Sequence, residues 1–404
     1  MSVERHTLHE IWNSNTMREL RREMVAGRAI PGCRVCQADE AGGGLSKRLT
    51  ANAKWENGWL NESSATIKDM IDLAINTDFR LPTLPAMLEV ETGNLCNFKC
   101  RTCNAGLSSL IGKDPIHRTW AADQFAAPHR DQVVPPATHA FRRFDALAKL
   151  GKEFANDTGG QIRRIYFLGG EPLLVRGIGQ LLEELVNTGK SSDIYLLFVS
   201  NASVIPSWLS LAPHFRRVDV AVSIDGHGEL HDYIRYPGRW PELLANVRTL
   251  QDLPNVHVMA TTTISMLNVL GLCRLFRYFD SIDVGFAAYP LHWPRYLAVG
   301  ALPSSIRRLA AARLREYGDS DCRPEHRALV LSLVALLESG DDAGESTLLR
   351  DFMLFTNDLD ASRAQSIHQT EPELVQLLGQ AGFPWIDETW LADGKTETGR
   401  HHAW

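Results

Sequence analysis

No apolar run in the sequence is long enough to cross a bilayer: the longest, at 328–337, reads as a buried helix, and a span needs about 20 residues. The N-terminal MSVERHTLHEIW is charged from the outset and lacks the apolar centre of a secretory signal. Basic charge is in deficit: 42 Lys and Arg against 48 Asp and Glu leave a net charge of -6, which argues against a nucleic-acid partner. There is no internal repeat and no low-complexity tract apart from the glycines at 42–44. The seven cysteines are odd in number and tightly grouped, so they do not read as a disulfide framework; without an export signal, such groups point to metal. These absences leave a cytoplasmic protein with neither membrane nor nucleic acid among its partners. Hydrophobic residues at 44% and charged residues at 22% allow a real core, and 404 residues suggest about two to three domains.

Organisation changes along the chain. Residues 1–58 read as an amphipathic helix at about 9–26, a C-x2-C loop and a polar stretch; 59–85 hold a linker helix broken by Pro82 and Pro85. From 86 to 300, β-type runs at 87–91, 162–168, 194–199, 218–224, 256–264 and 282–288 alternate with helical stretches. Near-continuous apolar strands predict burial on both faces, and helical connections predict a parallel sheet. Six such units predict an α/β fold built as an open (β/α)6 partial TIM barrel. Residues 111–139 read as a surface insertion, and 301–404 as a C-terminal helical region.

The first expected strand runs into ETGNLCNFKCRTCNAG, where Cys96, Cys100 and Cys103 follow a C-x3-C-x2-C spacing. Three thiolates on one short loop can hold three irons of a cubane and leave the fourth open, whereas such clusters usually take four cysteines. The alternatives are a structural zinc site, which normally wants four ligands, or unligated core thiols. The later strand ends carry FLGGEPLL, VSNAS and SIDGHGELHDYIRYPGRW. Gly169 and Gly170 permit close backbone approach to a ligand, and Glu171 beside them suits a cationic amine. Asn201 is a ligand donor or a turn residue. Ser223 and Asp225 share one strand face. Arg235 offers a fork for a carboxylate, or makes a surface ion pair. His227, His231 and Tyr233 read as packing or turn residues.

Over about 86–288 the chain resembles the radical S-adenosylmethionine (SAM) superfamily, whose hallmark is this cysteine loop after the first strand of a (β/α)6 partial barrel. The resemblance implies a [4Fe–4S] cluster on Cys96, Cys100 and Cys103. It also implies SAM held at its amino group by the GGEP motif of Gly169, Gly170 and Glu171. Asn201 would meet the ribose or carboxylate, Ser223 the ribose and Arg235 the carboxylate, with Asp225 in the same set. Thr102 departs from the pattern, since many members carry an aromatic residue there that lines the adenine.

Residues 11–36, IWNSNTMRELRREMVAGRAIPGCRVC, are similar to part of the SPASM/twitch auxiliary-cluster module, though placed before the barrel instead of after it. The alternatives are an amphipathic helix with Trp12, Met17, Leu20 and Met24 on one face, and Cys33 and Cys36 as a zinc half-site or free thiols. In the module an upstream segment supplies further cysteines. Here either the reading frame starts late, or Cys322 or Cys273 completes a second iron–sulfur site. Cys273 lies in an apolar helix; Cys322, in the polar DSDCRPEH, is the better ligand. The resemblance implies an enzyme that cleaves SAM with one electron from a flavodoxin- or ferredoxin-type reductant. The 5′-deoxyadenosyl radical so formed would take hydrogen from a peptide or small-molecule natural-product intermediate. The rival reading is a non-catalytic metal- or nucleotide-binding protein on a decayed barrel.

Overall fold

A computed structural model describes residues 1, 3–41, 46–56, 66–124, 146–156, 162–339 and 346–389. Six strands, β1 (Met87–Glu91), β2 (Arg164–Leu168), β3 (Tyr195–Ser200), β4 (Arg217–Ser223), β5 (Val256–Ile264) and β6 (Gly285–Pro290), form one sheet in chain order. Every adjacent pair is parallel, and β1 and β6 are its edges, so the sheet is open. The expected strands all form. The largest shift is at β6, where Ile282 caps the preceding helix and Asp283 takes a positive φ, delaying the strand to Gly285.

Helices Leu147–Asn156, Arg176–Asn187, Trp240–Asp252 and Leu272–Ser281 fill four of the five connections. The β3–β4 connection carries only a 3-10 segment, Ser207–His214, because Pro206 precedes it and Pro213 lies inside it. The helices cover one sheet face, where alternate residues such as Val90, Phe167, Phe198, Val220 and Val222 are buried. Burial on both faces, expected from the apolar runs, is not found. The opposite face of the sheet carries Glu89, Glu91, His257 and Tyr289, all exposed. Glu89, Tyr166, Leu197, Asp219 and His257 stand side by side across it. The helices leave this face uncovered at these positions, so it takes polar residues there.

The N-terminal helix is two helices, Leu8–Trp12 and Asn15–Val25, because the Ser14 hydroxyl caps the second by accepting from the Met17 amide. The face with Met17, Leu20 and Met24 is not buried, and Met24 is 49% exposed. Asn13 is buried instead: its Nδ2 donates to the Leu81 carbonyl and its Oδ1 accepts from the Leu81 amide, both at 2.8 Å. Of the expected surface insertion, residues 111–124 are described, and part of this stretch is buried. Ile116 and Trp120, one helical turn apart, are buried, and Trp120 packs edge-on against Phe355 and Tyr296. The rest of the insertion, the glycines at 42–44 and residues 390–404 lie outside the described residues.

Beyond residue 300, helices Ser304–Ser320, Pro324–Glu338, Ser346–Arg363, Ile367–Thr370 and Pro372–Gln380 follow. Their apolar faces join the core of the sheet in one continuous cluster. No described helix is long and apolar enough to cross a membrane.

Candidate functional site

The loop after β1 carries Cys96, Cys100 and Cys103, and its backbone is fastened on two sides. On one side the β1–β2 ladder continues past the strands: the Thr92 amide donates to Leu168 O (2.8 Å), Gly170 N to Gly93 O (2.8 Å) and Glu171 N to Leu95 O (2.6 Å). Gly169 adopts a φ of +126°, open to glycine. A Cβ on Gly170 would lie 2.2 Å from the Leu95 carbonyl oxygen. The partner that these glycines admit is the chain's own 93–95 backbone. On the other side, the Lys99 amide donates to Tyr236 O (2.6 Å) and the Arg101 amide to Ile234 O (2.8 Å). That joins the cysteine loop to the backbone on either side of Arg235.

The side chains form two bonded sets. In the first, the Glu171 carboxylate is buried and accepts from the Leu173 amide (2.9 Å), the Ser200 hydroxyl (2.7 Å) and the Asn201 amide (2.6 Å). Burial raises its pKa against the pull of these donors. Asn201, so held, turns its Nδ2 to Asn97 Oδ1 (3.0 Å) and to Cys96 Sγ (3.9 Å). In the second set, Arg235 Nη1 donates to Asp225 Oδ2 at 2.7 Å. Asp225 is fully buried and also accepts from the Thr263 amide (2.7 Å), while its carbonyl takes the Asn268 side chain (2.9 Å). Ser223 ends β4 beside Thr261 and belongs to neither set. Beside the loop, a cleft of about 240 Å³ is lined by Asn97, Phe98, Asn201, His231 and Arg239, among others.

Burial pushes the Cys96 thiol up to about 11 and raises Cys100 and Cys103 as well. Cys96 and Cys100 each raise Cys103, and Arg235 pulls all three down. Burial opposes the charge on Arg235, but Cys100 and Asp225 more than offset it. Among the described residues, no three His, Cys, Asp or Glu side chains are grouped to hold a single metal ion. A cubane differs in taking one thiolate on each of three irons. Three thiols within electrostatic reach of one another, beside a buried guanidinium, are a donor set that fits it.

The N-terminal pair stands apart. Cys33 closes the turn Pro31–Cys33 and Cys36 lies in the helix Arg34–Ala41, both within electrostatic reach of Arg48. Cys322, the expected further ligand, lies in the loop after helix Ser304–Ser320. Its Sγ lies 3.3 Å from the Arg323 carbonyl, next to Tyr317 at the end of helix Ser304–Ser320. Cys273 is buried in helix Leu272–Ser281.

Sequence reasoning passed over several residues of this neighbourhood. Asn97 lies between two cysteines and bonds Asn201 and Ser203. Arg101 is 1% exposed, donates to Tyr233 O (2.9 Å), pairs with Asp360 and stacks over Tyr233. Arg363 donates to Lys99 O at 2.8 Å. For Asn97 and Arg101, their place inside the cysteine motif was a usable signal; Asp360 and Arg363, far down the chain, offer none.

Residues 90–271 match the family model of the radical SAM superfamily, so this stretch is a radical SAM superfamily domain; the match covers less than half of the chain. Among solved structures, the chain is similar to native anSMEcpe with bound AdoMet, at 18% identity over 58% of this chain and 61% of that one, with a TM-score of 0.40. It is also similar to Streptococcus suis SuiB bound to S-adenosylmethionine, at 12% identity over 63% of this chain and 51% of that one, with a TM-score of 0.36. The chain thus spans less than two thirds of the length of either. No curated protein matches the sequence.

Proposed function

We propose that the chain is a radical SAM enzyme acting on a peptide or natural-product intermediate, with its cluster on Cys96, Cys100 and Cys103. The observation that carries this reading is the three-thiol loop, fastened on both sides and faced by Arg235, inside the stretch that matches the superfamily. Reductive cleavage of SAM to methionine and a 5′-deoxyadenosyl radical is the chemistry a [4Fe–4S] cluster supplies when bound there.

The chain's own residues bind and orient. The three cysteines give up their protons to become ligands, which couples loading to pH. Arg235, already set by Asp225, keeps a buried Nε without a hydrogen-bond partner, a donor available to the SAM carboxylate. Ser223, on the open face at the end of β4, would meet the ribose. Glu171 holds Asn201, and through it Asn97, next to Cys96. Gly169 and Gly170 keep the turn tight against the loop. The reductant is a one-electron carrier of flavodoxin or ferredoxin type, as a reducing cytoplasm supplies.

The test is anaerobic reconstitution with iron and sulfide, reduction with dithionite and assay for 5′-deoxyadenosine. The wild-type chain should form it, and the triple variant Cys96→Ala, Cys100→Ala, Cys103→Ala should not. Product from the triple variant would refute the reading.

A further inference from the structure

The side chain of Arg363 ends helix Ser346–Arg363, outside the stretch that matches the superfamily, yet it reaches the cysteine loop. It is 8% exposed, its Nη2 donates to the Lys99 carbonyl at 2.8 Å, and its guanidinium lies 4.9 Å from the Tyr236 ring. Its Nε and Nη1 are buried with no hydrogen-bond partner. The Lys99 carbonyl belongs to the peptide that leads directly into Cys100.

A buried cation needs an anion, and the nearby carboxylates are committed elsewhere. Asp360 binds Arg101 and accepts from the Ile367 amide at 2.7 Å. Asp114 takes Lys99 at 2.7 Å and the ring of His117. Asp358 takes the Trp120 indole at 2.8 Å. What Arg363 does hold is the Lys99 carbonyl, in the peptide that leads into Cys100. The two other guanidinium groups at the loop differ in kind, since Arg101 is paired with Asp360 and Arg235 with Asp225.

We propose that Arg363 is the counter-cation of the loaded cysteine loop: it holds the Lys99–Cys100 peptide and raises the reduction potential of the iron–sulfur cluster bound there. The inference rests on the proposed function. Three thiolates give the loaded site a net negative charge that grows when it accepts an electron. A fixed buried cation therefore stabilises the reduced state more than the oxidised one, and net charge and hydrogen bonding are the levers that set such potentials. Arg363 acts through the loop and its field, which makes it a positioning residue and not a catalytic one.

The experiment compares wild type, Arg363→Gln and Arg363→Lys after anaerobic reconstitution, by iron and sulfide content and by redox titration followed by electron paramagnetic resonance. Glutamine can still donate to Lys99 O but carries no charge; lysine keeps the charge. The expected result is a midpoint potential more negative in Arg363→Gln and close to wild type in Arg363→Lys. Loss of iron from a folded Arg363→Gln that Arg363→Lys restores also supports the proposal. A fully loaded Arg363→Gln with the wild-type potential overturns it, as does iron loss that lysine fails to restore. Should Arg363→Gln not fold, the lysine variant decides: a loaded Arg363→Lys at the wild-type potential supports the role of charge, and one shifted negative overturns it. If the wild-type chain takes up no cluster, the proposed function falls and this inference with it. If wild type forms 5′-deoxyadenosine but Arg363→Gln leaves the potential unmoved, the inference alone falls.

Discussion

At Gly170 a methyl group has nowhere to go. Its Cβ would stand 2.2 Å from the Leu95 carbonyl oxygen and 2.7 Å from the carbonyl carbon, both backbone atoms that no rotamer change can move. Gly170→Ala must push the turn after β2 away from the cysteine loop, breaking the 2.8 Å bond to Gly93 O and the 2.6 Å bond from Glu171 N to Leu95 O. Overpacking of this kind costs about 1–3 kcal/mol. The expected outcome is a lower urea midpoint together with reduced iron uptake; full stability and full uptake would show that the contact is not limiting. The motif was legible in the sequence as a place, since glycines and an acid at a strand end mark a mouth. Its partners were not. The acid of Glu171 reads as a contact for a cation, but it closes on a hydroxyl and an amide about thirty positions later, at Ser200 and Asn201. Spacing along a chain says which residue types recur at strand ends. It does not say which neighbouring strand end consumes their hydrogen bonds.

The elements show the same division between period and contact. Strand runs and the helices between them follow from alternating apolar stretches, and all six strands form in chain order. The N-terminal helix shows where periodicity gives out. One apolar stripe predicts one helix, yet Asn13 and Ser14 end the first helix and cap the second. Trp12 and Asn13 then act as a latch. Arg21 stacks 4.2 Å over the Trp12 ring and donates to the Phe79 carbonyl at 2.8 Å, while Asn13 closes on both polar groups of Leu81. Asn13→Ala leaves the buried Leu81 amide and carbonyl without partners, a loss of about 1–3 kcal/mol. Amide exchange should rise across 8–25 and 78–82 while the strands keep their protection. Unchanged exchange over 8–25 would mean that the latch is redundant.

At the scale of the whole molecule, the C-terminal helices do more than extend the chain. They share the core of the sheet and return Asp360 and Arg363 to the cysteine loop. The N-terminal helices are tied to the linker by Asn13 and to helix Leu147–Asn156 by the Leu8 amide, which donates to Glu153 at 2.6 Å. This arrangement bears on the other four cysteines. Cys273 is buried in its helix, and Cys322 lies beside Tyr317 and the Arg323 carbonyl. Cys33 and Cys36 are then left as two thiols near Arg48, and two thiolates do not close a [4Fe–4S] cluster that ordinarily takes four. The triple variant Cys96→Ala, Cys100→Ala, Cys103→Ala should therefore retain little or no iron after anaerobic reconstitution. Iron and sulfide analysis gives the count, and Mössbauer spectra identify any cluster present. A stoichiometric signal from a fully cysteine-ligated [4Fe–4S] cluster in that variant would require Cys273 or Cys322 to leave its present packing and reach the N-terminal pair, and would overturn the prediction.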